Sequence, residues 1–217
     1  MCGRFTLTVS LEELLLRYMI EGEALFSHRP RYNITVSQPA PVILSDGQRN
    51  RIWEMSFLLD PEIRGSFNAR SETIDQKPTF RQAFFRRRCL IPADGYYERD
   101  QNDAGKPYYR VVMKDRKLFS MAGIYNVWVG PDGKKSSSFA IVTTEPNELV
   151  RGFHHRMPVI LRPEDEAVWL DRGNQDAARL KALLKPYAAG EMEAYRVSDK
   201  VGNWRNDSPD LIAEVKK

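Results

Sequence analysis

Leu11, Leu14, Leu15 and Tyr18 recur at the three- and four-residue spacing of one helical face, and Ser10 with Glu13 forms a capping-box pair ahead of them. The spacing predicts a helix over residues 10–19. TFRQAFFRR (79–87) predicts a short second helix with Phe80, Phe84 and Phe85 toward the core. PEDEAVWL (163–170) and QDAARLKALL (175–184) predict two more, each with acidic residues near its start, and PNELVRGF (146–153) reads as a helical turn. Between these stretches the pattern changes. PAPVIL (39–44), CLIPA (89–93), PYYRVVM (107–113), KLFSMAGIY (117–125), SSFAIVTT (137–144) and EMEAYRV (191–197) alternate or run apolar, as strands do. SDGQRN (45–50), DAGK (103–106) and GPDGKK (130–135) read as the turns that punctuate them. Runs of strands with helices set apart from them predict an α+β fold with an antiparallel, strand-dominated centre.

Composition narrows this picture. A chain of 217 residues, 42% of them hydrophobic, can bury a proper core without disulfides, and shows no internal repeat or long linker; one domain over 1–217 is expected. Cys2 and Cys89 are the only cysteines, too few for a disulfide framework. The start has no basic segment followed by an apolar one, and no apolar run is long enough to span a bilayer. These features predict a cytoplasmic protein of a reducing compartment, without a membrane partner. A formal charge of +4 is a mild basic bias, compatible with nucleic acid but not demanding it.

Five short stretches carry candidate chemistry. The chain begins MCGRF, so removal of Met1 would leave Cys2 as a 1,2-aminothiol. The amine has an ordinary pKa of roughly 8 and the thiol of about 8.5, so both nucleophiles exist near neutral pH. Such a pair suits aldehydes: the amine forms a Schiff base and the thiol closes a thiazolidine ring. The same residue would serve acyl transfer, or be a small side chain that merely follows the start. FNARSET (67–73) places Asn68 and Arg70 on one face of a strand running into a turn, a carboxamide beside a fork suited to phosphate. ADGYYERD (93–100) sets Glu98 after two aromatics, where burial raises a carboxyl toward the range of a general acid. RGFHHRMP (151–158) holds His154 and His155 between arginines, without the further ligands a metal needs. FRQAFFRRR (80–88) interleaves aromatics and arginines, as a nucleic-acid surface or an amphipathic helix would.

Taken together, MCGRF, RYNITVSQPAPVI, FNARSET, FR…RRRCLIPADGYYE, HHRMPVIL and NDSPDLI resemble the SOS response-associated peptidase (SRAP) family, in the family's order and over about residues 1–212. The resemblance implies an SRAP-type α+β domain with a barrel-like antiparallel centre and peripheral helices. It implies a protein, expected to be a monomer, that loses Met1, itself performing that cleavage as a peptidase. It implies recognition of abasic sites in single-stranded DNA and their capture as a stable thiazolidine crosslink, with lyase-like Schiff-base chemistry on the way. This shields the lesion in the SOS response to DNA damage, in the cytoplasm and at the nucleoid when DNA is bound. By motif position Cys2 is the nucleophile, Asn68 holds the N-terminal residue and the opened sugar, Glu98 transfers protons, and His154 assists at the sugar. Arg4, Arg70 and Arg156 would grip phosphates. No metal and no cofactor is implied.

The chain departs from the family between Trp53 and Asn68, where WEMSFLLDPEIRGSFNAR stands in place of a W-G-L-I-P-x-W type run. In the family that segment wedges against the DNA, and Phe57, Leu58 and Leu59 are the apolar residues left for the task. Tyr97 and Arg99 stand where many relatives carry Phe and Trp. Two other readings remain: a cysteine peptidase or amidase with an N-terminal nucleophile, and a single-stranded DNA-binding module with an inert Cys2.

Overall fold

The computed structural model describes all residues except 1, 23, 61, 64, 130–132 and 217. From the N-terminus it runs β1 (Arg4–Leu7), α1 (Leu11–Arg17), β2 (Arg31–Thr35), β3 (Pro39–Ser45), β4 (Asn50–Ser56) and β5 (Asn68–Arg70). There follow α2 (Pro78–Arg86), β6 (Arg88–Ala93), β7 (Gly95–Arg99), β8 (Tyr108–Met113), β9 (Phe119–Val129) and β10 (Lys135–Thr144). The last part holds α3 (Glu148–Arg151), β11 (Met157–Pro158), β12 (Ile160–Leu161), α4 (Pro163–Leu170), α5 (Ala177–Ala182) and β13 (Met192–Val197).

The local signals in the sequence do their work. Ser10 caps α1, accepting from Glu13 N, while the Glu13 carboxylate accepts from Ser10 N at 2.8 Å. Phe80 and Phe84 of α2 are buried and Phe85 is half-buried, so its aromatic stripe faces the core. Among the described residues, no helix is long and apolar enough to cross a membrane.

Two sheets build the molecule. The first has the order β13-β8-β7-β1-β2 and is antiparallel throughout. The second follows β11-β10-β4-β3-β6-β9-β12, and an added β9–β10 pairing returns β9 to β10. The path β10-β4-β3-β6-β9 therefore closes on itself, which is the barrel-like centre. One hydrophobic cluster extends through both sheets, from Cys2 and Phe5 to Ile141 and Met192.

The centre is not wholly antiparallel: β4 and β5 both pair with β10 in parallel. Ser56 lies opposite Ser138, and Asn68 opposite Ile141 three residues further along β10. Thus β5 resumes the edge that β4 leaves, in the same direction, and residues 57–67 are an excursion inserted into it. Phe57 and Leu59 turn inward from this excursion and are fully buried, with Phe57 stacked on Phe139 at 5.0 Å. They are core residues, not a wedge for DNA; Leu58 alone is half-buried.

β1, β2 and β7 escape the reading of hydrophobic pattern because their buried residues include polar ones, and β4 escapes it because it buries Met55 alone. Asn33 of β2 is fully buried, its amide donating to the carbonyls of Val201, Asn203 and Asn206. β1 is pinned by Asp94, which accepts from the Thr6 hydroxyl and from Thr8 N at 2.7 Å and pairs with Arg110 at 3.1 Å. Gly95 lets that guanidinium cross the strand, since a Cβ there would meet Arg110 Nε at 2.6 Å. The turn expected at 130–135 falls partly outside the described residues.

Candidate active site around Cys2

Cys2 precedes β1 and is fully buried. β1 is the link between β2 and β7, so the start of the chain is drawn into the middle of the first sheet. The Asn68 amide, at the first position of β5, donates from Nδ2 to the Cys2 carbonyl at 3.0 Å and to the Phe67 carbonyl at 3.0 Å. The excursion of 57–67 brings that amide to the N-terminal residue across 66 positions of sequence.

Glu98 lies on β7, on the same face as Tyr96 by strand alternation. Burial pushes its carboxyl up to about 7. His154 follows α3, and its Nε2 stands 3.4 Å from Glu98 Oε2, with both side chains buried. Burial pushes the imidazole down to about 4, so it is neutral at pH 7. Its Nδ1 lies 3.1 Å from Arg156 N and 2.8 Å from the Arg156 carbonyl. One of these contacts excludes the other. When Nδ1 accepts from Arg156 N–H, the ring proton sits on Nε2, toward Glu98. The pair is then a buried proton store in which both charged forms are disfavoured. Burial, and after it the Glu98 charge, also raises the Cys2 thiol well above its usual range. While a residue precedes Cys2, its nitrogen is an amide and the thiol stays protonated.

Asn68 Oδ1 and the Tyr96 hydroxyl are buried at this site without a hydrogen-bond partner among the described residues. Buried polar groups are nearly always satisfied, so an acceptor and a hydroxyl left open beside one nucleophile mark where a ligand's polar groups belong. Tyr96 was not among the residues singled out from sequence. In GYYE the two tyrosines look alike, and only the sheet assigns Tyr96 to the site and Tyr97 to the opposite face, where its hydroxyl donates to the Tyr32 carbonyl at 2.8 Å. Tyr96→Phe is expected to keep thermal stability within about 1 kcal/mol of the parent or raise it, because the hydroxyl it removes is unsatisfied. A melt showing a clear loss would mean that the hydroxyl already has a structural partner.

The arginines are placed differently from one another. Arg4 is half-buried, donating from Nη1 to Asn33 Oδ1 at 3.2 Å and from Nη2 to the Gly202 carbonyl at 2.7 Å. Both acceptors are neutral, so its charge is uncompensated by these bonds. Arg70, at the end of β5, is exposed. Arg156 is buried and forked onto Glu72, at 2.5 and 3.0 Å, with Nη2 also donating to the Thr143 carbonyl at 2.7 Å. His155 is exposed and stacks on His154 at 4.6 Å. Arg99 is exposed, its guanidinium 4.8 Å from the Tyr108 ring centroid.

Among the described residues no group of three His, Cys, Asp or Glu side chains could hold a metal ion. A cavity of about 590 Å³ lined by Trp53, Met55 and Tyr125 includes none of Cys2, Asn68, Glu98 and His154, and lies apart from this chemistry.

Residues 1–204 match the family described as SOS response associated peptidase (SRAP). The chain is 40% identical to the abasic site processing protein YoqW of Bacillus subtilis, over 98% of this chain and 99% of that one. It is 29% identical to the abasic site processing protein HMCES of Gallus gallus, over 87% of this chain and 67% of the other. A crystal structure of a Bacteroides thetaiotaomicron protein superposes with a TM-score of 0.88 at 28% identity, covering 99% of this chain and 100% of that one.

Proposed function

The chain belongs to the SOS response-associated peptidase family, and from that premise we propose that it processes abasic sites in single-stranded DNA by capturing them covalently on Cys2. The observation that carries the reading is the convergence on Cys2 of a carboxamide, a carboxyl raised to about 7 and a neutral imidazole, in a site closed to bulk water.

Loss of Met1, by the protein's own peptidase action, frees the Cys2 amine. The amine adds to the aldehyde of a ring-opened abasic sugar to give a carbinolamine. Glu98 in its protonated form gives a proton to the departing hydroxyl, and water leaves as the imine forms. The thiol then adds to the imine carbon, its proton passing through Glu98 and His154 to the nitrogen. Aldehyde and aminothiol become one thiazolidine and one water, with no other reactant. Asn68 fixes the N-terminal residue through its carbonyl and offers its open Oδ1 to a sugar hydroxyl; the Tyr96 hydroxyl offers a second contact.

Phosphates flanking the lesion would meet Arg4 and Arg70, which supply affinity without reading sequence. Arg156 joins them only if a phosphate displaces Glu72 from its fork. An abasic site has no base to read, so backbone contacts and an aldehyde trap suffice for recognition.

Intact mass spectrometry after incubation with single-stranded DNA bearing one abasic site tests the reading. The expected product is protein lacking Met1 plus one DNA strand minus one water, surviving denaturation. A protein that retains Met1 and yields only the two free masses would leave a DNA-binding module. Cleavage of added peptides without an adduct would favour the cysteine peptidase.

A further inference from the structure

Beside the N-terminal residue lies a cavity of about 480 Å³ that the capture chemistry does not use. It is lined by Gly3, Arg4, the segment from Thr35 to Gln38, and Trp204. Gly3 is the next residue after Cys2, so the cavity is continuous along the backbone with the reactive position. Trp204 is 54% exposed, a large aromatic left in water at the cavity's edge. The Arg205 guanidinium stands over its ring at 4.8 Å, covering one face.

The segment that carries Trp204 is held firmly. The 3₁₀ turn Asp199–Gly202 is fastened at its end by Arg4, which donates to the Gly202 carbonyl. Asn33 takes the carbonyls of Val201, Asn203 and Asn206, and the Asp207 carboxylate accepts from the backbone of Tyr32 and Asn33 at 2.6 and 3.0 Å. Six hydrogen bonds on both sides of residue 204 would be unneeded for a loose surface loop. They give an exposed indole a fixed position, and a pre-ordered platform loses little entropy when something stacks on it. On the opposite wall Ser37 is held at a φ of 72°, in the left-handed region, and Gln38 is locked by accepting from Arg31 Nη2 at 2.8 Å and Thr35 N at 3.1 Å. Both walls are thus built before any ligand arrives.

We propose that this cavity is a base-stacking subsite, in which Trp204 receives the intact nucleobase of the nucleotide next to the lesion while Arg4 meets the intervening phosphate. The inference rests on the reading of Cys2 as a lesion trap. It adds a function that phosphate contacts cannot supply. A flexible single strand with a missing base has no stack to hold it, and an aromatic platform beside the trap fixes the neighbouring nucleotide so that the opened sugar points at Cys2. Indole stacking accepts any base, so the subsite keeps the protein indifferent to sequence. A cationic guanidinium on the indole's covered face and the uncompensated Arg4 suit the same polyanion.

The test measures equilibrium binding by fluorescence anisotropy on a single strand whose lesion is a tetrahydrofuran residue, which has no aldehyde and forms no adduct. Parent, Trp204→Ala and Trp204→Phe are compared on strands that keep both flanking bases, and on strands that lack the 5′ or the 3′ flanking base. Trp204→Ala is expected to bind the intact strand on the order of tenfold more weakly, with Trp204→Phe in between. Removing the flanking base on one side should weaken the parent by a similar factor and leave Trp204→Ala unchanged. Equal affinities of parent and Trp204→Ala would overturn the proposal, as would a Trp204→Ala loss that is the same whether or not the flanking base is present. Mass spectrometry with the true abasic strand runs in parallel. A parent that forms no adduct removes the lesion trap, while the anisotropy comparison still decides whether bases stack on Trp204.

Discussion

Cys2→Ala is expected to abolish the denaturation-stable adduct with abasic single-stranded DNA while leaving the protein folded and bound to DNA. Alanine keeps the N-terminal amine once Met1 is lost, so a Schiff base can still form and can be trapped by borohydride. What it lacks is the sulfur that closes the ring. The imine hydrolyses, and no mass for a stable crosslink should remain. The loss is one of kind, not degree, because no other side chain supplies a thiol: Cys89, buried on β6, has its own thiol raised above the usual range by burial. Folding is little disturbed. Cys2 is small and fully enclosed, so losing its sulfur leaves a small cavity worth about 1 kcal/mol. A stable adduct from Cys2→Ala would remove the thiazolidine from the mechanism. Absence of both stable and borohydride-trapped products would show that the variant lost the amine chemistry as well, through retained Met1 or a displaced N-terminus.

Glu98→Gln should separate stability from chemistry in opposite directions. Glutamine keeps the shape and a hydrogen bond toward His154 Nε2 but cannot titrate. The parent's carboxyl titrates at about 7 in the folded protein, against an ordinary value of about 4.3 in the unfolded chain. Between those values the folded protein holds a proton that the unfolded chain has released, so this group makes stability fall as pH rises, with the full cost reached above pH 7. His154 acts in the opposite sense: held at about 4 when folded, it makes stability rise from about pH 4 to its unfolded value near 6.5. The two nearly cancel in the parent through the acidic range, so the variant must be compared with the parent at each pH. Their difference in unfolding free energy should be close to zero near pH 4 and grow to on the order of 3 kcal/mol in favour of Glu98→Gln above pH 7. Over the same range, adduct formation should slow by about 10²-fold or more, the usual cost of removing a proton-transfer group. Denaturant melts from pH 4 to 8 with single-turnover adduct kinetics read both effects. A variant less stable than the parent at pH 8 would mean that the carboxylate is stabilised in place and not held as an acid.

Much of the local structure is legible in residue pattern. The capping box at Ser10 and Glu13, the apolar faces of α1 and α2, and the alternating strands around Val111, Ala122 and Ile141 depend on neighbours a few residues away, and short-range physics decides them. The motif residues, read together, also identify the family. Strands whose buried residues are polar do not announce themselves, because Asn33 and Thr6 are stable inside only through partners about 170 and 90 positions distant.

The sequence by itself determined which chemical groups this protein owns: an aminothiol in waiting, a carboxamide, an acid, an imidazole and a set of arginines. Only the tertiary structure decided what each is available to do. Phe57 and Leu59 read as an apolar wedge for DNA until the β4–β5 edge showed them folded inward into the core. Arg156 reads as a free cation until Glu72 is found in its fork, and Tyr96 and Trp204 gain meaning only from what they face. The physical reason is common to all of them. Burial, charge pairing and the placing of groups from distant strands set pKa values and open valences, and those are properties of a neighbourhood that no stretch of chain contains alone.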